Sequence, residues 1–233
     1  MEILNFLKHF YIFKRITMNK HLAPITILLS IFLIGCTARP ELPKVIKASS
    51  LDNNYSLVVG SLSRANGLQS FDSWSLLFRT DGEKVEYSNS IKGKMDKNVP
   101  FGKYDFDFKE RKNSGNIFAY IVPAGDYEIY GTEMTQSYAY THTRWKESDE
   151  FSIKFHAEAG NITYIGEYAI QPVYNGENFI GVPLMASGYW LVDDKFERDL
   201  ILLKKKYPNL NWSEVTKDII QQPNSPIFVR KSN

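Results

Sequence analysis

The 233-residue chain contains one cysteine, Cys36. A single thiol excludes an intrachain disulfide framework and any cysteine-rich zinc site. Neither sign of charge dominates, because 28 basic residues face 26 acidic ones, and this balance argues against a protein that neutralises many phosphates of a nucleic acid. The mean hydropathy of −0.30 excludes a protein that crosses a membrane many times. With 43% hydrophobic and 14% aromatic residues, the composition is that of an ordinary globular protein.

The short motifs of several enzyme classes are also missing from the sequence. The chain has no G-x-S-x-G nucleophile elbow, no phosphate-binding loop and no dinucleotide fingerprint. We therefore predict a protein that is not an enzyme and needs no cofactor. An enzyme whose site is assembled from scattered residues stays open as a third alternative, after an interaction module and a ligand-binding module.

The strongest positive signal lies at residues 18–36, MNKHLAPITILLSIFLIGC. Lys20 gives a short basic start, an apolar run follows from Ile25 to Ile34, and Gly35 precedes Cys36. A basic start, a short apolar run and a small residue before a cleavage point are typical of a secretory signal. The run is shorter than the roughly 20 apolar residues that a membrane-spanning helix needs. We predict a signal peptide over residues 18–35.

The segment Leu33-Ile34-Gly35-Cys36 resembles the lipobox of bacterial lipoproteins. The resemblance implies that Cys36 is acylated and becomes the first residue of the mature chain. Several acyl chains make a durable anchor, whereas one chain binds a membrane only marginally. Thr37, rather than aspartate, follows the cysteine, and in Gram-negative bacteria of the enteric type this resembles the signal for export to the outer membrane. The alternative is a buried free thiol in an N-terminal helix.

Two further segments frame this signal. Residues 1–17 precede a signal that is complete from Met18 onward, and we interpret them as an upstream extension with Met18 as the true initiator. Residues 36–53 contain two prolines and no clean periodicity, which predicts a tether. Without residues 1–35 the chain has 24 basic and 25 acidic residues, so no electrostatic argument for nucleic-acid binding remains.

Residues 54–233 are predicted to form a single domain that is mainly β, an antiparallel sandwich with two short helices near the C-terminus. Apolar and polar residues alternate with period two, which indicates half-buried strands. Asp81-Gly82 and Pro123-Ala124-Gly125-Asp126 supply turn chemistry between strands. Predicted strands begin at Tyr55 and at Phe151 and cover Trp74–Arg79, Lys84–Asn89, Tyr104–Phe108, Asn116–Val122, Tyr127–Thr132, Ile162–Ile170, Pro183–Leu191 and Ile227–Arg230.

The pattern changes to helical spacing near Asp193. Apolar residues recur every three or four positions from Asp193 to Tyr207, and Pro208 then ends the helix. Asn211 and Glu214 match a capping box, which predicts a second helix. The helical part is expected to cover about residues 193–222.

Two turn-and-strand motifs carry a second resemblance. VPAGDYEIYG at 122–131 and AGNITYIGEY at 159–168 resemble segments of small bacterial lipoproteins of the DUF2846-like group. The resemblance implies a transthyretin-like or immunoglobulin-like sandwich and no particular activity.

Few residues suggest catalysis or metal binding. His142 and His156 lack the further ligands of a zinc site, although Glu158 could share a face with His156. Asp105 and Asp107 lie on one face of a predicted strand, at a separation that invites comparison with glycosidase carboxylate pairs. Both would be solvated if the neighbouring aromatic residues are buried, and catalytic acids need unequal surroundings. We predict no metal site and no catalytic residues.

The best candidate for binding is the segment QSYAYTHTRW at residues 136–145, which we call the aromatic strip. Its candidate contact residues are Tyr138, Tyr140, Arg144 and Trp145, with His142 between them. These types are favoured at binding hot spots, but we favour the alternative interpretation, a strand or hairpin whose tyrosines cover the core.

The sequence therefore predicts a lipid-anchored protein of the bacterial cell envelope, placed at the outer membrane. Its expected contacts are the membrane, through the lipid on Cys36, and an envelope protein or cell-wall partner. Nucleic acid is not an expected partner. The alternative function is a periplasmic or surface module that binds a glycan or peptide through the aromatic strip.

Overall fold

The structure is a computed structural model that describes residues 51, 54–66, 71–94, 106–138, 141–177, 181, 183–220 and 225–230. All of them belong to one compact unit, Val45–Asn233. The predicted extension 1–17, the signal peptide 18–35, Cys36 and all of the tether except residue 51 lie outside the described residues. Among the described residues, no helix combines the length and the apolar character needed to cross a membrane.

The described chain is mainly β, which confirms the predicted class. Its elements in chain order are β1 (Tyr55–Ala65), β2 (Ser73–Thr80), β3 (Ser88–Lys94), β4 (Phe108–Lys109), β5 (Asn113–Pro123), β6 (Gly125–Tyr138), β7 (Thr141–Ala157), β8 (Ile162–Glu177), β9 (Pro183–Asp193), α1 (Phe196–Lys206), β10 (Val215–Lys217) and β11 (Phe228–Arg230).

The strands form two sheets. Seven strands make the larger sheet in the order β11-β9-β8-β1-β5-β4, with β10 also paired to β8, and four strands make the smaller one in the order β3-β2-β6-β7. The smaller sheet is antiparallel throughout. The larger sheet is mixed, because β1 and β10 run parallel to β8 and β11 runs parallel to β9. The expectation of a wholly antiparallel fold is therefore wrong for this sheet.

One apolar core joins the two sheets. The ring of Phe78 on β2 meets that of Tyr120 on β5, with centroids 6.3 Å apart. The fully buried Trp190 on β9 donates from Nε1 to Oγ1 of Thr132 on β6, at 3.0 Å. A buried indole N–H needs such an acceptor, so this bond ties one sheet to the other.

Strand β8 contains one extra residue relative to β1. Val59 pairs with Tyr164 but Ser61 pairs with Glu167, so a bulge falls at Ile165 and Gly166, where Gly166 has φ +104°. A bulge of this kind reverses which side chains face each side of the sheet. We call the side that faces the four-stranded sheet the inner face and the opposite side the outer face. The bulge brings both Tyr164 and Glu167 to the outer face.

The predicted second helix is wrong, because the segment after Pro208 forms β10 instead. The Asn211 side chain accepts bonds from the N–H and the hydroxyl of Ser213, at 3.1 and 2.7 Å. The asparagine therefore closes a local turn that competes with a helix cap. Val215 then pairs with Ile162 on β8, in line with the strand preference of β-branched residues.

Two of the predicted strands differ in position from the observed ones. Strand β3 begins at Ser88, later than predicted, because Oγ1 of Thr80 accepts bonds from the N–H groups of Glu86 and Tyr87 and holds a wider loop than a two-residue turn. The predicted strand 104–108 lies partly outside the described residues. Within them only Phe108–Lys109 is strand.

Candidate functional site

Helix α1 lies on the outer face of the larger sheet and contacts it through polar side chains. Ser61 and Ser63 on β1 are fully buried, as are Tyr164 on β8 and Asp199 on α1. Because serine is small, these positions leave room for larger polar groups between the strand and the helix. Larger apolar residues here would instead have packed directly against the helix. The outer face therefore holds a buried polar cluster beneath the helix.

Arg198 is the centre of this cluster. Its Nη1 donates to Glu110 at 2.8 Å and lies 3.5 Å from Oε1 of Glu167. Nη2 donates to Oγ of Ser61 at 2.9 Å, and Nε donates to Asp199 at 2.9 Å. The guanidinium also lies 3.7 Å from the centre of the Phe108 ring, as expected for a cation on an aromatic face. One cation thus holds together α1, β1, β8 and the β4–β5 connection.

The carboxylate of Asp199 is held from both strands beneath it. Ser61 donates to its Oδ2 at 2.7 Å and the Tyr164 hydroxyl donates to the same oxygen at 2.9 Å. Burial raises the pKa of Asp199, and the neighbouring Arg198 partly offsets that effect. Burial also raises the pKa of the Tyr164 hydroxyl, and the charge of Asp199 adds to that increase, so this hydroxyl keeps its proton and acts as a donor.

Glu167 occupies the boundary between the cluster and solvent. Its residue is 2% exposed, and its Oε1 accepts from Oγ of Ser63 at 2.7 Å. Among the residues that the structure describes, no donor bonds its Oε2. Burial raises the pKa of Glu167, against the lowering effects of Arg198 and Ser63. A carboxylate in this position retains capacity to accept a further hydrogen bond.

A cleft of about 320 Å³ adjoins Glu167 on the outer face. Its floor includes Ala169 and Leu191 on neighbouring strands, which gives it an apolar centre. The residues that line it are Glu110, Arg111, Lys112, Asn113, Glu167, Ala169, Gln171, Leu191, Asp193 and Lys195. The size is at the lower end of the range for small-molecule sites. A cleft with this lining can bind a small polar molecule.

The structure separates the residues of the aromatic strip. Tyr138 ends β6 and pairs with Thr141 at the start of β7, so Tyr138 and Arg144 lie on different strands of one hairpin. Tyr140 and the side chain of Tyr138 lie outside the described residues. His142 and Arg144 are exposed, and Arg144 makes a salt bridge with Glu133 at 2.8 Å.

Trp145 is instead packed toward the body of the domain. Its Nε1 donates to the carbonyl of Ala186 at 2.7 Å, and its ring meets the buried Phe71 edge-on, with centroids 5.7 Å apart. This residue fixes the hairpin against β9.

The histidine and aspartate candidates make local contacts. Nδ1 of His156 lies 2.6 Å from Oδ1 of Asp126 on the exposed face of the smaller sheet, and Glu158 accepts from Thr216 at 3.2 Å. Asp107 accepts from the backbone N–H of Ile117 at 3.0 Å; Asp105 lies outside the described residues. The described ranges contain no group of three histidine, cysteine or acidic residues placed to hold a metal ion.

Sequence reasoning missed the polar cluster and the cleft. Ser61 and Ser63 follow the predicted start of a strand at Tyr55, and Glu167 lies in the predicted strand Ile162–Ile170; the sequence predicted no functional role for any of them. A signal was present in Arg198-Asp199, an oppositely charged pair beside the apolar positions of a predicted amphipathic helix. Only the bulge at Gly166 turns Glu167 toward that pair, and period-two reasoning does not locate bulges.

Comparison with known proteins gives little for this chain. No protein-family model matches it, and no curated protein matches it. Among solved structures, a leucine-rich repeat protein from Bacteroides thetaiotaomicron VPI-5482 aligns with 51% of this chain at 14% identity and a TM-score of 0.31. The aligned part spans 14% of that protein's length. A likeness at this level carries no argument about fold or function.

Proposed function

We propose that the chain is a lipid-anchored protein of the bacterial cell envelope, held at the outer membrane through Cys36. The observation that carries the proposal is the sequence Leu33-Ile34-Gly35-Cys36 after a short apolar run. The position of the folded domain agrees with it, since β1 begins at Tyr55, nineteen positions after Cys36. If these positions form the tether that the sequence predicts, its reach would be roughly 20–25 Å, and the anchor would keep the domain close to the membrane surface.

The domain is further proposed to act by binding an envelope protein or cell-wall partner, and not by catalysis. The polar residues with shifted pKa values support this, because their contacts have a structural explanation. Arg198 and Asp199 hold α1 on the sheet, and Tyr164 completes the same set of bonds. Ion-pair networks of this kind also shift pKa values in proteins without catalytic sites.

The finer fold assignment is part of the proposal. We infer a transthyretin-like or immunoglobulin-like sandwich, supported by two sheets that share one core and by the Trp190–Thr132 bond between them. The parallel pairs of the larger sheet depart from an all-antiparallel member of either group. A crystal structure of the mature chain whose sheet order matched neither group would overturn this assignment.

Lipidation is tested by growing a Gram-negative host with an alkyne analogue of palmitate and measuring label on the purified chain. We expect label and detergent-phase partition for the wild type and for the control Thr37→Ser, and loss of both for Cys36→Ser. Label retained on Cys36→Ser, or absent from the wild type, contradicts the proposal.

In-cell crosslinking with mass identification then tests for a partner. Support requires reproducible capture of the same envelope protein by the wild type but not by Cys36→Ser.

The second candidate is a module that binds a glycan or peptide through the aromatic strip. The exposure of His142 and Arg144 favours it, whereas the packed position of Trp145 favours a structural role for that residue. Arg144→Ala is expected to reduce glycan or peptide capture without changing the midpoint of urea unfolding. Trp145→Ala is expected to lower the free energy of unfolding by about 2 kcal/mol. An Arg144→Ala protein that captures the same ligands equally well removes this candidate.

A further inference from the structure

We propose that the cleft on the outer face binds a free amino acid or short peptide, with the ligand's protonated amine against Glu167 and Asp193 and its carboxylate at Arg111 and Lys112. This site is distinct from the aromatic strip. The inference does not depend on the lipid anchor.

At the inner end of the cleft, two acidic residues occupy directly paired positions of neighbouring strands. Glu167 on β8 is directly paired with Asp193 on β9, both line the cleft, and their residues are only 2% and 7% exposed. Like charges at directly opposed positions of a sheet destabilise it. A pair of this kind at the end of a cleft is therefore costly to the fold and well suited to a cationic group.

One carboxylate oxygen at this end of the cleft is available to a ligand. Arg198 is shared among Glu110, Glu167 and Asp199, and Asp193 has Lys195 at 3.2 Å. The bonds from Ser63 and Arg198 to Glu167 both use its Oε1. Oε2 of Glu167 accepts no hydrogen bond from any described residue, so an ammonium group that enters the cleft finds an acceptor there.

The outer rim has the opposite charge. Arg111 and Lys112, in the connection between β4 and β5, are exposed and line the cleft. Between the two ends lies the apolar floor of Ala169 and Leu191, and Gln171 and Asn113 add amide groups at one side. Gln171 Nε2 lies 3.4 Å from Asn113 Oδ1, which leaves other donors and acceptors of these amides for a peptide backbone.

A ligand with one ammonium and one carboxylate matches this order of charges. An amine without an acidic group would leave the rim cations unused, and an anion without an amine would meet the two carboxylates. A volume of about 320 Å³ suits an amino acid or a peptide of a few small residues, because binding cavities for small molecules begin near this size.

The test uses the full lipoprotein in detergent and isothermal titration with trialanine. The matched probes are N-acetyl-trialanine, which lacks the ammonium, and trialanine amide, which lacks the carboxylate. We expect trialanine to bind with a Kd below about 1 mM and each modified peptide to bind about tenfold more weakly. Trialanine that does not bind at this level, or N-acetyl-trialanine that binds equally well, overturns the proposal.

Substitutions test which end of the cleft holds the ammonium of the ligand and which end holds its carboxylate. Glu167→Gln is expected to weaken trialanine binding about tenfold, while Glu177→Gln on the same strand, outside the cleft, leaves it unchanged. The double variant Arg111→Ala/Lys112→Ala is exposed and tests the rim independently of folding in the buried cluster. It should weaken trialanine binding but leave trialanine amide unaffected. Equal weakening of both peptides by the double variant contradicts the assigned orientation, and no weakening by either variant places any binding elsewhere.

Discussion

At the scale of single residues, Arg198 connects the groups of the buried polar cluster. It contacts three carboxylates, one hydroxyl and one aromatic ring from four different elements. A guanidinium can do this because its five N–H groups project in a fixed plane, which a lysine ammonium cannot reproduce. The buried carboxylates below α1 are tolerated only because this cation is present.

We expect Arg198→Met to lower the free energy of unfolding by about 3–5 kcal/mol at neutral pH, since it leaves buried Glu167 and Asp199 without their cation. Urea unfolding followed by circular dichroism measures the effect. Arg111→Met, an exposed arginine of the same size, is the control and should stay within about 0.5 kcal/mol of the wild type. A small loss for Arg198→Met would show that water enters the cluster and solvates the carboxylates.

Glu167 gives a pH dependence whose sign follows from its environment. Burial raises its pKa in the folded protein, so the folded state binds the proton more tightly than the unfolded chain does. The resulting stabilisation is complete below the ordinary value of 4.5 and is lost as pH rises through the folded pKa. Among the neighbouring groups, Arg198 and Ser63 lower the pKa of this carboxyl, whereas Asp199 and Glu110 raise it.

Wild-type stability relative to Glu167→Gln is therefore expected to increase as pH falls from 8 toward about 4.5. Urea unfolding at several pH values in this range measures the difference between the two proteins. The comparison cancels the titration of carboxylates common to both. A difference that stays constant with pH would mean that Glu167 has the same pKa in the folded and unfolded states.

At the scale of elements, the bulge in β8 decides which residues meet. A Cβ on Gly166 would lie 3.2 Å from the carbonyl oxygen of Asp193 and 3.3 Å from Cγ2 of Ile219. The end of β9 and the segment after β10 therefore approach this residue closely. Its positive φ adds a conformational preference for glycine.

Gly166→Ala should destabilise the protein more than Gly176→Ala does. Both glycines have positive φ, at +104° and +75°, but a Cβ on Gly176 meets nothing within 4 Å. Backbone strain alone costs about 1–3 kcal/mol at such positions, and at Gly166 the close approach of the neighbouring segments adds to this cost. Thermal unfolding of the two proteins side by side makes the measurement. Equal losses would show that the neighbouring segments move away without cost.

The elements that sequence could predict are those with long regular patterns. Strands β5, β6, β8 and β9 and helix α1 begin or end within a few residues of their predicted positions, because alternation, helical spacing or turn residues mark at least one end of each. The segment after Pro208 was predicted wrongly, since the same asparagine that can cap a helix instead closes a turn with Ser213. Local propensity leaves that choice open, and pairing of Val215 with β8 decides it.

The candidate site was not predictable in the same way. Its residues come from β1, β8, β9, α1 and the β4–β5 connection, and no short spacing in the sequence unites them. The parallel pairing of β1 with β8 brings Ser63 beside Glu167 across more than one hundred positions. Pairing partners of this kind are set by the whole fold and not by local pattern.

At the scale of the whole molecule, the net charge of the chain bears on how it would attach to a membrane. The chain after residue 35 is close to neutral, with 24 basic and 25 acidic residues, so electrostatic attraction would contribute little to its attachment to an anionic surface. The proposed lipid on Cys36 would then supply most of the membrane affinity, through burial of its acyl chains.

Thr37→Asp is expected to move the protein from the outer-membrane fraction to the inner-membrane fraction of an enteric Gram-negative host. The residue after the proposed lipidation site, Cys36, corresponds to the position that resembles the sorting signal of such bacteria, in which aspartate retains a lipoprotein at the inner membrane. Density-gradient separation of the two membranes followed by immunoblotting measures the ratio. Thr37→Ser should fractionate as the wild type does. Unchanged sorting of Thr37→Asp would contradict outer-membrane placement by this signal.

The extra residue in β8 is absorbed within the strand, so the outer face does not require a fixed number of residues between Tyr164 and Glu167. Removing Gly166 would leave these two residues two positions apart, and regular alternation would then place both on the outer face without a bulge. Removing a second residue would make them neighbours and turn Glu167 to the opposite face. In an alignment, a gap of one residue at this point is therefore compatible with the cleft, whereas a gap of two is not.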